Sequence, residues 1–348
     1  MARKARIGVI GAGWWAAVSH LPALKANADC EIVAISRLGA AELGALQRKF
    51  EVPHAFEDYR AMLESVPMDG VIVSSPHTMH HEHAVAALAK GCHALVEKPM
   101  ATTIADARDL VAKADAAGRQ IVVPYGWNFK PWADEARALV AAGRIGRIEH
   151  VVLQMASPLA DLFAGQAMQE TETHMFRPPA STWADPERAG GYGWGQLVHA
   201  LGLLFRVADL RASRVFALTG KSPTGVDYYD AASVQFENGA TGALSGASTV
   251  PKHRGNQIDM RLFGSEGVLL LDIERERLEA RRRDGADTIV DMAPGSGQYE
   301  CIEPVNALVD ICLGRPIENR APGEVGLRAV EVLDALYRSA ASGRLESV

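Results

Sequence analysis

Gly11-Ala12-Gly13-Trp14-Trp15-Ala16 follows directly on the apolar run 7–10 and opens a helical pattern. A G-x-G-x-x-A turn at such a junction has a specific use. Gly11 permits the tight turn, Gly13 lets a pyrophosphate approach the backbone, and Ala16 lets helix and strand pack closely. The helix start adds N–H donors and positive potential. Gly11, Gly13, Trp14 and Trp15 are therefore candidate contacts to a dinucleotide. The next strand ends at Ile35-Ser36-Arg37. An acid at this place would accept hydrogen bonds from the ribose 2′-hydroxyl of NAD. Ser36 and Arg37 instead suit the 2′-phosphate of NADP, the guanidinium as its ion pair and the hydroxyl as a donor. The competing reading of Arg37 is a solvated loop arginine. NADP(H) is the expected cofactor, with NAD(H) as the alternative.

Other chemistries leave no trace. No set of His, Asp and Glu has metal-ligand spacing, and there is no G-x-S-x-G elbow. Hydride transfer needs neither, because the cofactor carries the reaction. Cys30, Cys92, Cys301 and Cys312 form no C-x-x-C pair, so free buried thiols in a reducing compartment are expected. A formal net charge of −6 argues against a nucleic-acid surface. Arg281, Arg282 and Arg283 are followed by Asp284 and Asp287 and read as a solvated hairpin edge. The apolar run after the basic start is too short for a signal peptide, and no stretch approaches the length of a membrane span. A cytoplasmic protein with no membrane partner is expected.

The 348 residues exceed a typical single core, so two domains are expected. Over residues 1–124, short Val- and Ile-rich runs at 6–10, 31–35, 70–74, 93–96 and 120–123 alternate with helical patterns at 40–50, 81–90 and 104–117. This predicts an α/β dinucleotide-binding domain, a doubly wound parallel sheet of the Rossmann type. Thr103-x-x-Asp106 has capping-box spacing, Gly118 suits the helix stop, and Pro22 should kink the first helix near Leu21. From 125 to 348 the grammar changes. Strand-like runs at 148–155, 215–219, 231–237, 242–248, 257–263 and 267–272 are joined by short Gly-containing turns. These predict an α+β domain with a large, mainly antiparallel open sheet, closed by a helix over 325–341. Residues 154–185, with Pro158, Pro178 and Pro179, read as a long loop at the site.

Val96-Glu97-Lys98-Pro99, Ser75-Pro76-His77-Thr78-Met79-His80 and the glycine turn together resemble the Gfo/Idh/MocA family of oxidoreductases. The resemblance extends through Ala142-Gly143-Arg144-Ile145-Gly146, the Asn238-Gly239 hairpin and the terminal helix. It implies that Lys98 is the catalytic acid/base and that Pro99 is preceded by a cis bond. A partly desolvated lysine beside a cationic nicotinamide suits that work, because its ammonium is disfavoured. Glu97 would orient Lys98 or the nicotinamide ribose, or else form a structural salt bridge. Ser75, His77 and His80 would contact the nicotinamide end of the cofactor, the histidines having surface positions as their other reading. His199 matches the histidine of the family's D-x-x-x-H helix, but the aspartate position is Gly195, which puts an Asp–His proton relay in doubt. Trp127 and Asn128 sit in a segment that lines the family's cleft, where Lys130 replaces the usual arginine. Tyr192, Gln196 and His174 are further candidates for contacting substrate, with ordinary core roles as the alternative for the aromatics.

The implied activity is hydride transfer to or from a hydroxyl or carbonyl carbon of a sugar, cyclitol or related polyol. Two other classes stand beside it. One is a redox-elimination glycosidase of the same superfamily, and the other is a non-catalytic nucleotide sensor, which the missing aspartate suggests. A homodimer or homotetramer is the expected assembly.

Overall fold

The computed structural model describes residues 3–348, which fall into two compact units. The first comprises the chain up to Gly126 together with Ala167–Thr182 and Cys301–Leu327; the second holds the remainder.

The first unit is built on six parallel strands: β1 (Ala5–Ile10), β2 (Cys30–Ser36), β3 (His54–Phe56), β4 (Gly70–Val73), β5 (His93–Val96) and β6 (Ile121–Val122). Their order is β3-β2-β1-β4-β5-β6, so the winding reverses between β1 and β4, where ligands of such sheets bind. Nearly every residue of β1 and β4 is buried, because helices cover both faces and leave no position for an alternating polar residue. One of those helices, Ile302–Cys312, belongs to the distant third segment and packs on β1, β4 and β5. Its approach is close: a Cβ on Gly70 would lie 2.6 Å from Cys312 Sγ.

Helix signals held at several points. Thr103 Oγ1 accepts from the Asp106 amide at 3.1 Å and caps the helix Ile104–Ala116, and Gly118 adopts φ +60° beyond its end. The helix after the glycine turn divides into a π-turn, Ala16–His20, and an α-helix, Leu21–Ala26, with Pro22 in its first turn. Proline lacks the N–H that a continuous helix would use there, so the ladder widens just ahead of it.

In the second unit, β7 (Ile148–Ala156), β8 (Ala212–Lys221), β9 (Asp227–Phe236), β10 (Thr241–Ala247), β11 (Gln257–Gly264), β12 (Gly267–Asp272), β13 (Arg277–Arg282), β14 (Thr288–Asp291) and β15 (Glu346–Ser347) form one sheet. The order is β14-β13-β12-β11-β7-β10-β9-β8-β15, antiparallel except for the parallel pair β7–β10. Burial alternates along β9 and β10, as expected of a sheet covered on one face. The terminal helix runs Gly323–Ser342. Among the described residues no helix is long and apolar enough to cross a membrane, and all four cysteines are buried free thiols.

Candidate active site

In the first unit the glycine turn is fixed from two sides. The Gly11 and Ala12 amides both donate to Ser36 O, at 2.9 and 3.0 Å. Gly11 has φ +73°, and a Cβ there would fall 2.5 Å from the Ser75 backbone. The end of β4 thus closes on the turn, and only glycine fits. At Gly13 a Cβ would meet nothing nearer than Gly11 O at 3.7 Å, which leaves the backbone open to a ligand. Such a turn, with free space before a helix start, fits a dinucleotide pyrophosphate.

Past β2, Ser36 is buried and the Arg37 guanidinium lies 4.3 Å over the centre of the Phe176 ring, with Nη1 donating to Ala12 O at 3.4 Å. Trp14 Nε1 donates to His174 Nδ1 at 3.0 Å. His174, expected as a substrate contact, is therefore held against the glycine turn. Segment Ala167–Thr182 contributes both Phe176 and His174 and so packs against the glycine turn and the end of β2 within the first unit.

Lys98 follows β5 and is only 8% exposed, with a cis peptide bond to Pro99. Burial pulls its pKa down, opposed by the charge of Glu97 and by Cys301. Glu97 is also buried and sits between two donors: His20 Nε2 lies 2.8 Å from Oε1, and the Lys98 amide donates to Oε2 at 3.1 Å. Burial pushes the Glu97 carboxyl up, but the His20 hydrogen bond and the charges of His20, Lys98 and His80 outweigh it and hold it below the usual carboxylate range. Ligand-type atoms of His20, Glu97 and Cys301 fall within 4.8 Å of one another. The His20–Glu97 contact has hydrogen-bond length, and the neighbouring ammonium disfavours a cation between them.

The histidines after β4 are not surface residues. His77 and His80 are buried, and His80 has Nδ1 2.7 Å from Pro99 O and Nε2 2.7 Å from Ser75 O. Both its nitrogens are spent tying the end of β4 to the lysine loop. A neutral ring donates to only one of the two carbonyls, and burial pulls the His80 pKa down. Ser75 Oγ pairs with His83 Nδ1 at 2.9 Å.

The second unit gathers its own cluster. His199 opens the helix Val198–Val207 behind the π-turn Gly193–Leu197. Trp127 meets the His199 ring edge-on at 5.8 Å, and Tyr299 lies 4.9 Å from each of them. Trp127 Nε1 donates to Gly297 O at 2.9 Å, which fixes the indole. A carboxylate anchors the π-turn: Asp227 accepts from the Gly193 amide at 2.7 Å and from the Tyr337 hydroxyl at 2.9 Å. Burial and the neighbouring Asp227 push the Asp230 carboxyl well above the ordinary value.

Two expected substrate contacts have other partners here. Asn128 is fully buried with Nδ2 donating to Gly202 O at 3.1 Å, and Tyr192 is fully buried with its hydroxyl donating to Met155 O at 3.1 Å. Gln196 lies within the π-turn and is buried, and Lys130 pairs with Glu300 at 2.6 Å. Gly195 has a packing reason. A Cβ there would sit 2.9 Å from the Phe163 ring and 3.4 Å from Trp183, so aromatic rings fill the volume that an aspartate would need. His20, Tyr299 and Asp227 escaped sequence reasoning because their partners lie 77, 100 and 34 positions away. A histidine in the mainly apolar turn after the glycines was the one available hint of His20.

Residues 5–125 match the oxidoreductase family with an NAD-binding Rossmann fold, and residues 133–270 match the GFO/IDH/MocA C-terminal domain. The chain belongs to the Gfo/Idh/MocA family. It is 27% identical to a 1-carboxy-3-chloro-3,4-dihydroxycyclohexa-1,5-diene dehydrogenase of Comamonas testosteroni, over 67% of this chain and 55% of that protein. It is 35% identical to the D-glucoside 3-dehydrogenase of Escherichia coli over 41% of each. These two alignments span only about half of the relatives' lengths. A D-apiose dehydrogenase of Paraburkholderia graminis is 26% identical over 97% of this chain and 88% of that protein. Among solved structures, levoglucosan dehydrogenase in complex with NADH and L-sorbose superposes with a TM-score of 0.78 at 20% identity, covering 100% of this chain and 99% of that one.

Placing the family's carboxylate at Gly195 forces a charged side chain against Phe163. Gly195→Asp is expected to cost about 3 kcal/mol or more through overpacking and an unpaired buried charge, measured by urea denaturation. A variant as stable as the parent would show that the rings yield.

Proposed function

We propose that the protein catalyses reversible hydride transfer between a nicotinamide dinucleotide and a hydroxyl or carbonyl carbon of a sugar, cyclitol or related polyol. The observation that carries this reading is a buried lysine with a lowered pKa, one strand removed from the glycine turn's neighbour β4. The nicotinamide supplies the hydride donor or acceptor. Lys98 Nζ takes the hydroxyl proton during oxidation and returns it to the alkoxide during reduction. Burial favours its neutral form, and Glu97 keeps the pair from losing its charge altogether. In the second unit, His199 framed by Trp127 and Tyr299 is assigned to hold a substrate hydroxyl, with the aromatic faces suited to sugar C–H groups. Asn128 and Tyr192 are not assigned to substrate, because both are fully buried and the Asn128 Nδ2 and the Tyr192 hydroxyl donate to backbone carbonyls inside the protein.

A panel of sugars and polyols, followed by absorbance at the nicotinamide band, tests the reading; aglycone release without net cofactor change would overturn it. Lys98→Ala should lower kcat by about 10²- to 10⁴-fold while leaving the fold and cofactor binding intact. Oxidation uses the neutral amine, so its rate should rise with pH to a plateau whose midpoint lies below the ordinary lysine value. Reduction uses the ammonium and should fall across the same interval.

NADP(H) preference is proposed from Ser36 and Arg37. Cation–π contact with Phe176 holds the guanidinium in place at the end of β2. Arg37→Asp should weaken NADPH relative to NADH by about tenfold or more, as read by fluorescence titration with both cofactors. An unchanged ratio would remove Arg37 from the cofactor site.

A homo-oligomer is proposed through the uncovered sheet face. Phe216, Leu218, Tyr229 and Phe263 are exposed there, and small residues Ala231 and Ser233 lie across from Leu218 and Phe216. Leu218→Asp should shift the particle to monomer by light scattering; a mass unaltered by the change would place any interface elsewhere.

A further inference from the structure

His20 is a fully buried polar ring that the proposed reaction does not use. Its Nε2 lies 2.8 Å from Glu97 Oε1, while its Nδ1 has no hydrogen-bond partner. A buried ring atom without a partner carries a desolvation cost that a leucine in the same place would not. The backbone also departs from a regular helix at this ring. The Leu21 amide donates to Ala16 O, five residues back, and this widens the turn at the residue that must reach Glu97. A regular helix turns by about 100° per residue, so removing the extra residue from the turn changes the direction of everything that follows. Wide turns of this kind are frequent at functional sites.

We propose that His20 is a positioning residue for the Lys98 amine: it holds Glu97 ionised and oriented, and so fixes the negative charge that faces the ammonium. Glu97 in an ionised state can only accept, so the Nε2 of His20 carries the proton whichever charge the ring has. One carboxylate oxygen then takes the His20 donor and the other takes the Lys98 amide. The remaining titratable groups facing the pair are His80, Tyr125 and Cys301. His80 is committed to two carbonyls, and burial pushes the Tyr125 hydroxyl up and keeps it neutral. His20 is thus the neighbour whose ring donates to the carboxylate. Without it, Glu97 is a buried acid that has lost a donor, and its charge becomes harder to keep. Less negative charge beside Lys98 leaves its burial less opposed, so the amine gives up its proton at lower pH.

The inference rests on the acid/base role of Lys98, and the test separates the two. Full-length protein labelled with [ε-13C]lysine is titrated by NMR, with the Lys98 resonance assigned by its loss in Lys98→Arg. This readout needs no substrate. His20→Leu should lower the Lys98 midpoint by about one unit, a tenfold change in proton affinity. Glu97→Gln should move it in the same direction, and the double variant should go no further than Glu97→Gln alone. His20→Gln keeps an N–H donor and should return the midpoint to within about 0.3 unit of the parent. An unmoved midpoint in His20→Leu, or His20→Gln falling with His20→Leu, overturns the proposal; thermal melts of the same samples show that each is folded. If Lys98→Ala retains turnover, the acid/base reading fails while the titrations still report whether His20 governs the amine. If Lys98→Ala is inactive and the midpoint stays put, only the role of His20 fails.

Discussion

A lysine ammonium taken out of water needs a counter-charge within reach, or it sheds its proton. Lys98 is almost wholly covered, and the carboxylate next to it in sequence is covered too. Neither would keep its charge alone. The Glu97 carboxylate survives because His20 and the Lys98 amide both donate to it, and the ammonium survives in part because that carboxylate does. Much of the first unit can be understood as holding this pair in place. The parallel sheet ends its strands side by side, the glycine turn lets β4 come close, and His80 ties the end of β4 to Pro99.

Buried charge is supported differently in the second unit. Asp227 is satisfied by a backbone amide and a tyrosine hydroxyl, and it pins the wide turn that leads to His199. For Asp230, beside it, burial and the charge of Asp227 push the carboxyl up and favour its neutral form. Both candidate histidines therefore stand at the end of a π-turn or directly after one, His20 at the end of Ala16–His20 and His199 just beyond Gly193–Leu197.

Much of this fold was legible in the residues because its signals are local. Continuous Val and Ile runs marked strands buried on both faces, and helix 40–50 was bounded correctly by its apolar period. The glycine turn, Thr103 cap and Gly118 stop each report on their own backbone. What failed to show had no local signature. The strand His54–Phe56 is three residues long, and β13 is too rich in arginine to look like a strand until its alternate residues are seen to be buried. At the candidate site, Lys98 and His199 were nominated through motifs. The burial of His80, the commitment of Tyr192 to the core and the Phe163 ring over Gly195 depend on neighbours far along the chain. Periodicity cannot carry such information.

Segments Ala167–Thr182 and Cys301–Leu327 complete the first unit from positions long after its last strand. Helix Ile302–Cys312 covers β1, β4 and β5, and His174 and Phe176 reach Trp14 and Arg37. The nucleotide module is accordingly not a cassette that can be cut out at one boundary. A gene fragment ending near Gly126 would bare an apolar sheet face, and a chimera made by exchanging the front third alone would inherit a glycine turn stripped of its tryptophan's partner. Grafting this unit onto another scaffold means carrying three stretches of sequence together.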